Sequence, residues 1–136
     1  MITLTKKDYC DYETCVALKE LGYVGICDAY YELTGSEDYN RDSFELLYTR
    51  DFIHPDNIDR VAAPLLYQAQ KWLREEKKIN VYVKAFNGEG WYYIIQNYNG
   101  ARIYPPLTQI LVLCHSYEKA LLEGIKEAVK ILKKEK

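Results

Sequence analysis

At 136 residues, with 49% hydrophobic and 28% charged side chains, the chain can bury an unstapled core and lies far from the composition of disorder. Its formal net charge of −2 argues against a dedicated binder of nucleic-acid backbone, which uses clustered Lys and Arg to displace counterions. The opening run Met1 to Asp8 has no apolar stretch of signal-peptide character, and no segment is long enough to span a bilayer, so the expected address is the cytoplasm.

Asp11 precedes Tyr12-Glu13-Thr14-Cys15-Val16-Ala17-Leu18-Lys19-Glu20-Leu21-Gly22, so a side-chain acceptor can cap a first helix that Gly22 closes. Cys15, Leu18 and either Leu21 or Val16 form its apolar face. From Val24 to Leu33 strand formers are interrupted by Gly25 and Asp28, which predicts an irregular edge strand. Residues 36–63 are first acidic and then carry Phe44, Leu46, Leu47, Tyr48, Phe52 and Ile53; they read as a long connection with one short helix. Pro64 suits a helix start, and Leu65, Ala69, Trp72 and Leu73 recur at helical spacing, so a helix is expected from Pro64 to about Lys77.

Ile79 to Phe86 alternates as a half-buried strand does, Asn87-Gly88-Glu89-Gly90 is turn chemistry, and Trp91 to Tyr98 is the return strand. A loop of two or four residues places Phe86 opposite Trp91, Ala85 opposite Tyr92, Lys84 opposite Tyr93, Val83 opposite Ile94 and Tyr82 opposite Ile95. Val81, Val83, Ala85, Tyr92 and Ile94 then face the core. Asn99-Gly100 is a second hairpin turn, Pro105-Pro106 stops the strand after it, and Ile110 to Cys114 resumes extended structure. Ser116 caps a last helix whose stripe is Leu121, Leu122, Ile125, Ala128, Val129 and Leu132. Gly124 costs this helix about 1 kcal/mol relative to Ala, which marks close packing against the sheet. No repeat, low-complexity tract or Gly/Ser linker divides the chain. The expectation is one α+β domain over residues 1–136: an antiparallel sheet of three to four strands with helices packed on it, in the order helix, irregular strand, helix, strand, strand, strand, helix.

Four cysteines, Cys10, Cys15, Cys27 and Cys114, lack knuckle spacing and read as reduced, buried, small apolar residues rather than zinc ligands. Cys114 and His115 are successive in a strand and point to opposite faces, so they cannot act as nucleophile and base. Cys27 with His54 has nothing in the sequence to support it. The carboxylates are scattered as solvated residues are, and phosphate-loop, His-Glu-x-x-His and Gly-x-Ser-x-Gly motifs are missing. No catalytic, metal-ligating or cofactor-binding residue is assigned, and no cofactor is implied.

Tyrosine is the unusual component, with 14 against three Phe and two Trp. The register above collects Tyr82, Lys84, Phe86, Trp91, Tyr93 and Ile95 on the face away from the last helix, and such a face on a monomer normally has a cover. A structural reading has the N-terminal helix or the 44–53 segment covering it as a second layer. The functional reading makes Tyr82, Lys84, Phe86, Trp91 and Tyr93 a surface for a protein partner or self-association, since Trp and Tyr dominate binding hot spots. A stacking platform for single-stranded nucleic acid is the third option.

Tyr9-x-x-Tyr12-Glu13, Ala17 to Tyr23, Ala63-Pro64 before Trp72 to Glu75, Gly90-Trp91-Tyr92 and Ser116 to Ala120 resemble a family of short uncharacterised proteins of gut bacteria and their prophages. That resemblance implies an intracellular, mobile-element-linked protein and transfers no catalytic residue. The strand, strand, strand, helix order from Ile79 to Lys134, with Gly90-Trp91-Tyr92 and Ser116 to Leu121, is similar to the HicB-type antitoxin domain, over less than half the chain. This second resemblance implies binding and masking of a partner protein; Pro105-Pro106 departs from its pattern. The expectation is therefore a non-enzymatic binding or accessory protein, with an antitoxin-like masking protein or a single-stranded nucleic-acid binder as alternatives.

Overall fold

The computed structural model of the chain describes residues 5–24, 27–33, 44–52, 60–106 and 112–134. The chain groups into two compact units, Met1–Leu65 and Leu66–Lys136. The boundary falls at Pro64-Leu65-Leu66, all buried, so no polar linker composition announces it.

In the first unit, helix α1 spans Tyr12–Glu20; the Asp11 carboxylate accepts from the Thr14 N–H at 2.9 Å, and Gly22 takes φ of +101° after the last turn. Cys15 and Leu18 are buried, and Leu21 rather than the half-buried Val16 completes the apolar face. Strands β1 (Cys27–Leu33), β2 (Phe44–Phe52) and β3 (Arg60–Ala62) form an antiparallel sheet in the order β2-β1-β3. The irregularity expected near Asp28 is present as a register shift between Cys27 and Ala29. Two expectations are corrected. β1 is the central strand rather than an edge, and two strands stand where one short helix was expected within residues 36–63. The reason is non-local: β2 and β3 both pair with β1, a partner that local periodicity does not reveal. Residues 34–43 and 53–59, including His54, lie outside the described residues. Tyr31, 1% exposed, donates its hydroxyl to the Cys10 carbonyl at 2.8 Å, and Cys10 N–H donates to the Pro64 carbonyl at 3.0 Å. These two bonds tie the chain before α1 to the sheet strand and to the chain after β3.

In the second unit, α2 spans Leu66–Glu76, with Leu66, Ala69 and Leu73 buried and Trp72 only half-buried. Strands β4 (Ile79–Phe86), β5 (Gly90–Asn97) and β6 (Arg102–Tyr104) form an antiparallel sheet in sequence order, and α3 spans Tyr117–Lys134. This is the α+β arrangement of helices on a small antiparallel sheet. Ser116 caps α3 by accepting from the Lys119 N–H at 3.1 Å. Ala120, Leu121, Gly124, Ile125, Ala128 and Val129 are its buried positions. A Cβ at Gly124 would stand 2.6 Å from Val81 Cγ1 and 3.0 Å from Tyr93 Cβ, so this glycine lets the helix backbone sit directly on β4 and β5. At the second hairpin Gly100 has φ of +86°, and the Asn97 side chain accepts from the Asn99 and Ala101 amides. Of the extended segment expected at Ile110 to Cys114, residues 110 and 111 lie outside the described residues; Cys114 exchanges two backbone bonds with Trp91, at 2.9 and 2.7 Å.

The β4–β5 register corrects the sequence reading by one residue. Phe86 lies opposite Gly90, Ala85 opposite Trp91, Lys84 opposite Tyr92, Val83 opposite Tyr93 and Tyr82 opposite Ile94. The loop between the paired ends holds three residues, not two or four. Asn87 and Gly88 take φ of +47° and +76°, as a type I′ turn requires, and the Glu89 N–H closes it on the Phe86 carbonyl at 2.8 Å. Glu89 is then an extra residue before Gly90 re-enters the ladder. A side chain at Gly90 would come within 2.9 Å of the Cys114 carbonyl and 3.1 Å of Leu113 Cβ. The 113–114 segment thus selects glycine as the first residue of β5.

Candidate functional site: the outer face of the β4–β5 hairpin

A one-residue change of register moves every side chain of a strand to the other face relative to its partner. Val81, Val83 and Ala85 therefore share the α3 side with Trp91, Tyr93 and Ile95, while Tyr82, Lys84 and Phe86 share the opposite side with Tyr92 and Ile94. Of the five residues expected to form one partner-binding face, Tyr82, Lys84 and Phe86 are brought together. Trp91 and Tyr93 are not. Trp91 packs edge-to-face on Tyr117 at 5.6 Å, and Tyr93 stacks on Tyr104 at 5.4 Å with 8° between the rings. Ile95, also expected outside, is wholly buried on the α3 side.

Tyr92, assigned to the core by the expected register, takes their place. Its ring meets Phe86 edge-on at 6.3 Å. The resulting row has Lys84 exposed, Tyr82, Phe86 and Tyr92 half-buried, and Ile94 at its inner end 2% exposed. It combines amphipathic rings, which cost little entropy to fix, with one mobile cation. The signal for Tyr92 was the odd loop length, set by the Asn87-Gly88 turn and the extra residue Glu89.

Two titratable groups near α3 have raised pKa values. Burial, then the hydrogen bond to Tyr104 and the charges of Tyr104, Glu127 and Glu123, hold the Tyr93 phenol far above its ordinary 10.0. Burial and then Glu123 push the Cys114 thiol up, against a smaller opposing effect of Lys119. That is the reverse of what activates a nucleophilic cysteine. Cys10 and Cys15 are buried free thiols, and the Cys15 thiol donates to the Cys10 carbonyl at 3.6 Å. Among the described residues no group of three or more His, Cys, Asp or Glu is placed to hold a metal ion.

No family model, curated protein or solved structure matches the chain. Among the described residues no helix is long and apolar enough to cross a membrane.

Proposed function

We propose that the chain is a non-enzymatic binding protein that docks a protein partner on the outer face of the β4–β5 hairpin. The observation that carries the reading is the pairing of Lys84 with Tyr92, which joins Tyr82, Phe86 and Tyr92 into one aromatic row around an exposed cation. Rigid aromatic side chains beside a charge have the composition of a binding hot spot. The run β4, β5, β6, α3 also has the order that the HicB-type resemblance implies, which supports partner masking as the form such binding takes. A cytoplasmic setting and an origin in a bacterial mobile element belong to the same proposal and rest on the sequence resemblance.

The test is a native mass spectrum of the protein purified gently from the cells that express it, followed by the double substitution Phe86→Ser and Tyr92→Ser. A heteromeric mass is expected for the wild type. The variant should bind the captured partner about thirtyfold more weakly or worse, with an unchanged helical circular-dichroism signal. Undiminished association of the variant would reject this face as the docking surface. A homodimer lost in the same variant would identify the partner as a second copy.

A further inference from the structure

The net charge of −2 averages two units of opposite sign. Residues 1–65 hold six Lys and Arg against thirteen Asp and Glu, and residues 66–136 hold twelve against seven, giving formal charges of −7 and +5. The second unit taken by itself is therefore basic, and its charge favours rather than opposes a polyanion. A charge imbalance of this size between parts of one chain is a recognised signature of polyanion binding.

The second unit's cations are not spread evenly over it. Tyr117 at the start of α3 packs on Trp91, near the hairpin tip, and Gly124 sits on Val81 and Tyr93. The helix consequently runs toward the sheet end where Ile79 pairs with Asn97. At 1.5 Å per residue, its last ten residues reach about 15 Å past Gly124. Ile79 is only two residues, about 7 Å, past Val81. The last turns of α3 thus carry Lys130, Lys133 and Lys134 to the end of the unit that also holds Lys77, Lys78 and Tyr98, which flank the Ile79–Asn97 pair. Tyr98 is 76% exposed, and the Lys78 ammonium lies 5.6 Å from its ring centre. The acids of α3 lie mostly earlier in the helix, where Glu123 pairs with Lys119 and Lys126 at 3.8 and 3.7 Å. On α2, Glu75 pairs with Arg74 at 3.9 Å, and Glu76, Glu127 and Glu135 lie within three residues of Lys77, Lys130 and Lys134 in sequence.

We infer that this end of the second unit binds single-stranded nucleic acid, with Lys77, Lys78, Lys130, Lys133 and Lys134 along the phosphates and Tyr98 stacking on a base. Charge complementarity selects a polyanion. The exposed ring beside a lysine selects a strand whose bases are free to stack, as in grooves that combine cations with aromatic platforms. The surface is separate from the hairpin face and does not depend on the reading given for it.

The experiment uses the full chain and a fluorescein-labelled, mixed-sequence single strand of about 20 nucleotides, followed by fluorescence anisotropy. Neutralising five phosphates should weaken binding roughly a hundredfold between about 50 and 200 mM salt. Lys130→Glu with Lys134→Glu should lower affinity at least about tenfold. The matched reversal Lys6→Glu with Lys7→Glu in the first unit should leave affinity within about twofold of wild type. Circular dichroism confirms folding of each variant, and Tyr98→Ser should weaken binding about tenfold at both salt concentrations through lost stacking. The inference is overturned by no binding at the lower salt, by equal losses in the two charge reversals, by stronger binding to duplex than to single strand, or by binding to anionic lipid vesicles with none to the oligonucleotide.

Discussion

The two units use the same materials, short antiparallel strands and amphipathic helices, but join them by pairings of different reach. In the second unit each of strands β4, β5 and β6 pairs with its neighbour in sequence, and the two turns between them each carry an Asn-Gly pair with positive φ at the glycine. In the first, β1 is flanked by β2 and β3, so its inner position depends on a strand that returns after β2. Sheet contacts that skip a neighbour are costly to form and leave little trace in local pattern. Alternation and turn residues therefore read a meander well and a crossed-over sheet poorly. The units also differ in charge, −7 against +5, a contrast that whole-chain composition conceals.

The seat of α3 gives the largest expected effect. Gly124→Val should destabilise the second unit by about 3 kcal/mol, because a Cβ there already overlaps Val81 before the two further carbons are placed. Urea denaturation measures it, and a neutral result would mean that α3 does not rest on Val81 and Tyr93. The first unit's corresponding tie is the Tyr31 hydroxyl on the Cys10 carbonyl. Tyr31→Phe leaves that buried acceptor with only the Cys15 thiol at 3.6 Å and should cost about 1–2 kcal/mol. An unchanged denaturation midpoint would break the claim that this bond joins the strand to the chain before α1.

The smallest effect sharpens the comparison by pH. The folded-state pKa of Tyr93 is raised, so its stabilising contribution is complete below the ordinary value of 10.0 and is lost as pH rises above it, while the unfolded phenol ionises and the folded one does not. Stability of the second unit should therefore fall as pH climbs beyond about 10. Tyr93→Phe should flatten that slope in urea titrations while costing about 1 kcal/mol at neutral pH for the lost bond to Tyr104. A slope unaltered by the substitution would place the alkaline sensitivity elsewhere.

Much of this was legible from residues alone. Asp11 and Ser116 as caps, Gly22 as a stop, Gly124 as a close approach and Asn99-Gly100 as a turn act where they stand, because each satisfies a backbone requirement set within a few residues of itself. The aromatic face was half legible. Tyr82, Lys84 and Phe86 share a side by strand periodicity, but which β5 residues join them depends on whether the loop is odd or even.

Gly90, opposite Phe86, accepts no side chain because Leu113 and Cys114, more than twenty residues away in sequence, stand too close. The inner place of β1 and the strand character of Phe44–Phe52 depend likewise on distant partners. Caps, turns, helix faces and the α+β class could be read from residues alone, all being consequences of backbone chemistry over a few residues. Tertiary structure alone decided register, strand order and the membership of the candidate site, because hydrogen-bond ladders and close packing are satisfied between segments that do not adjoin in the chain.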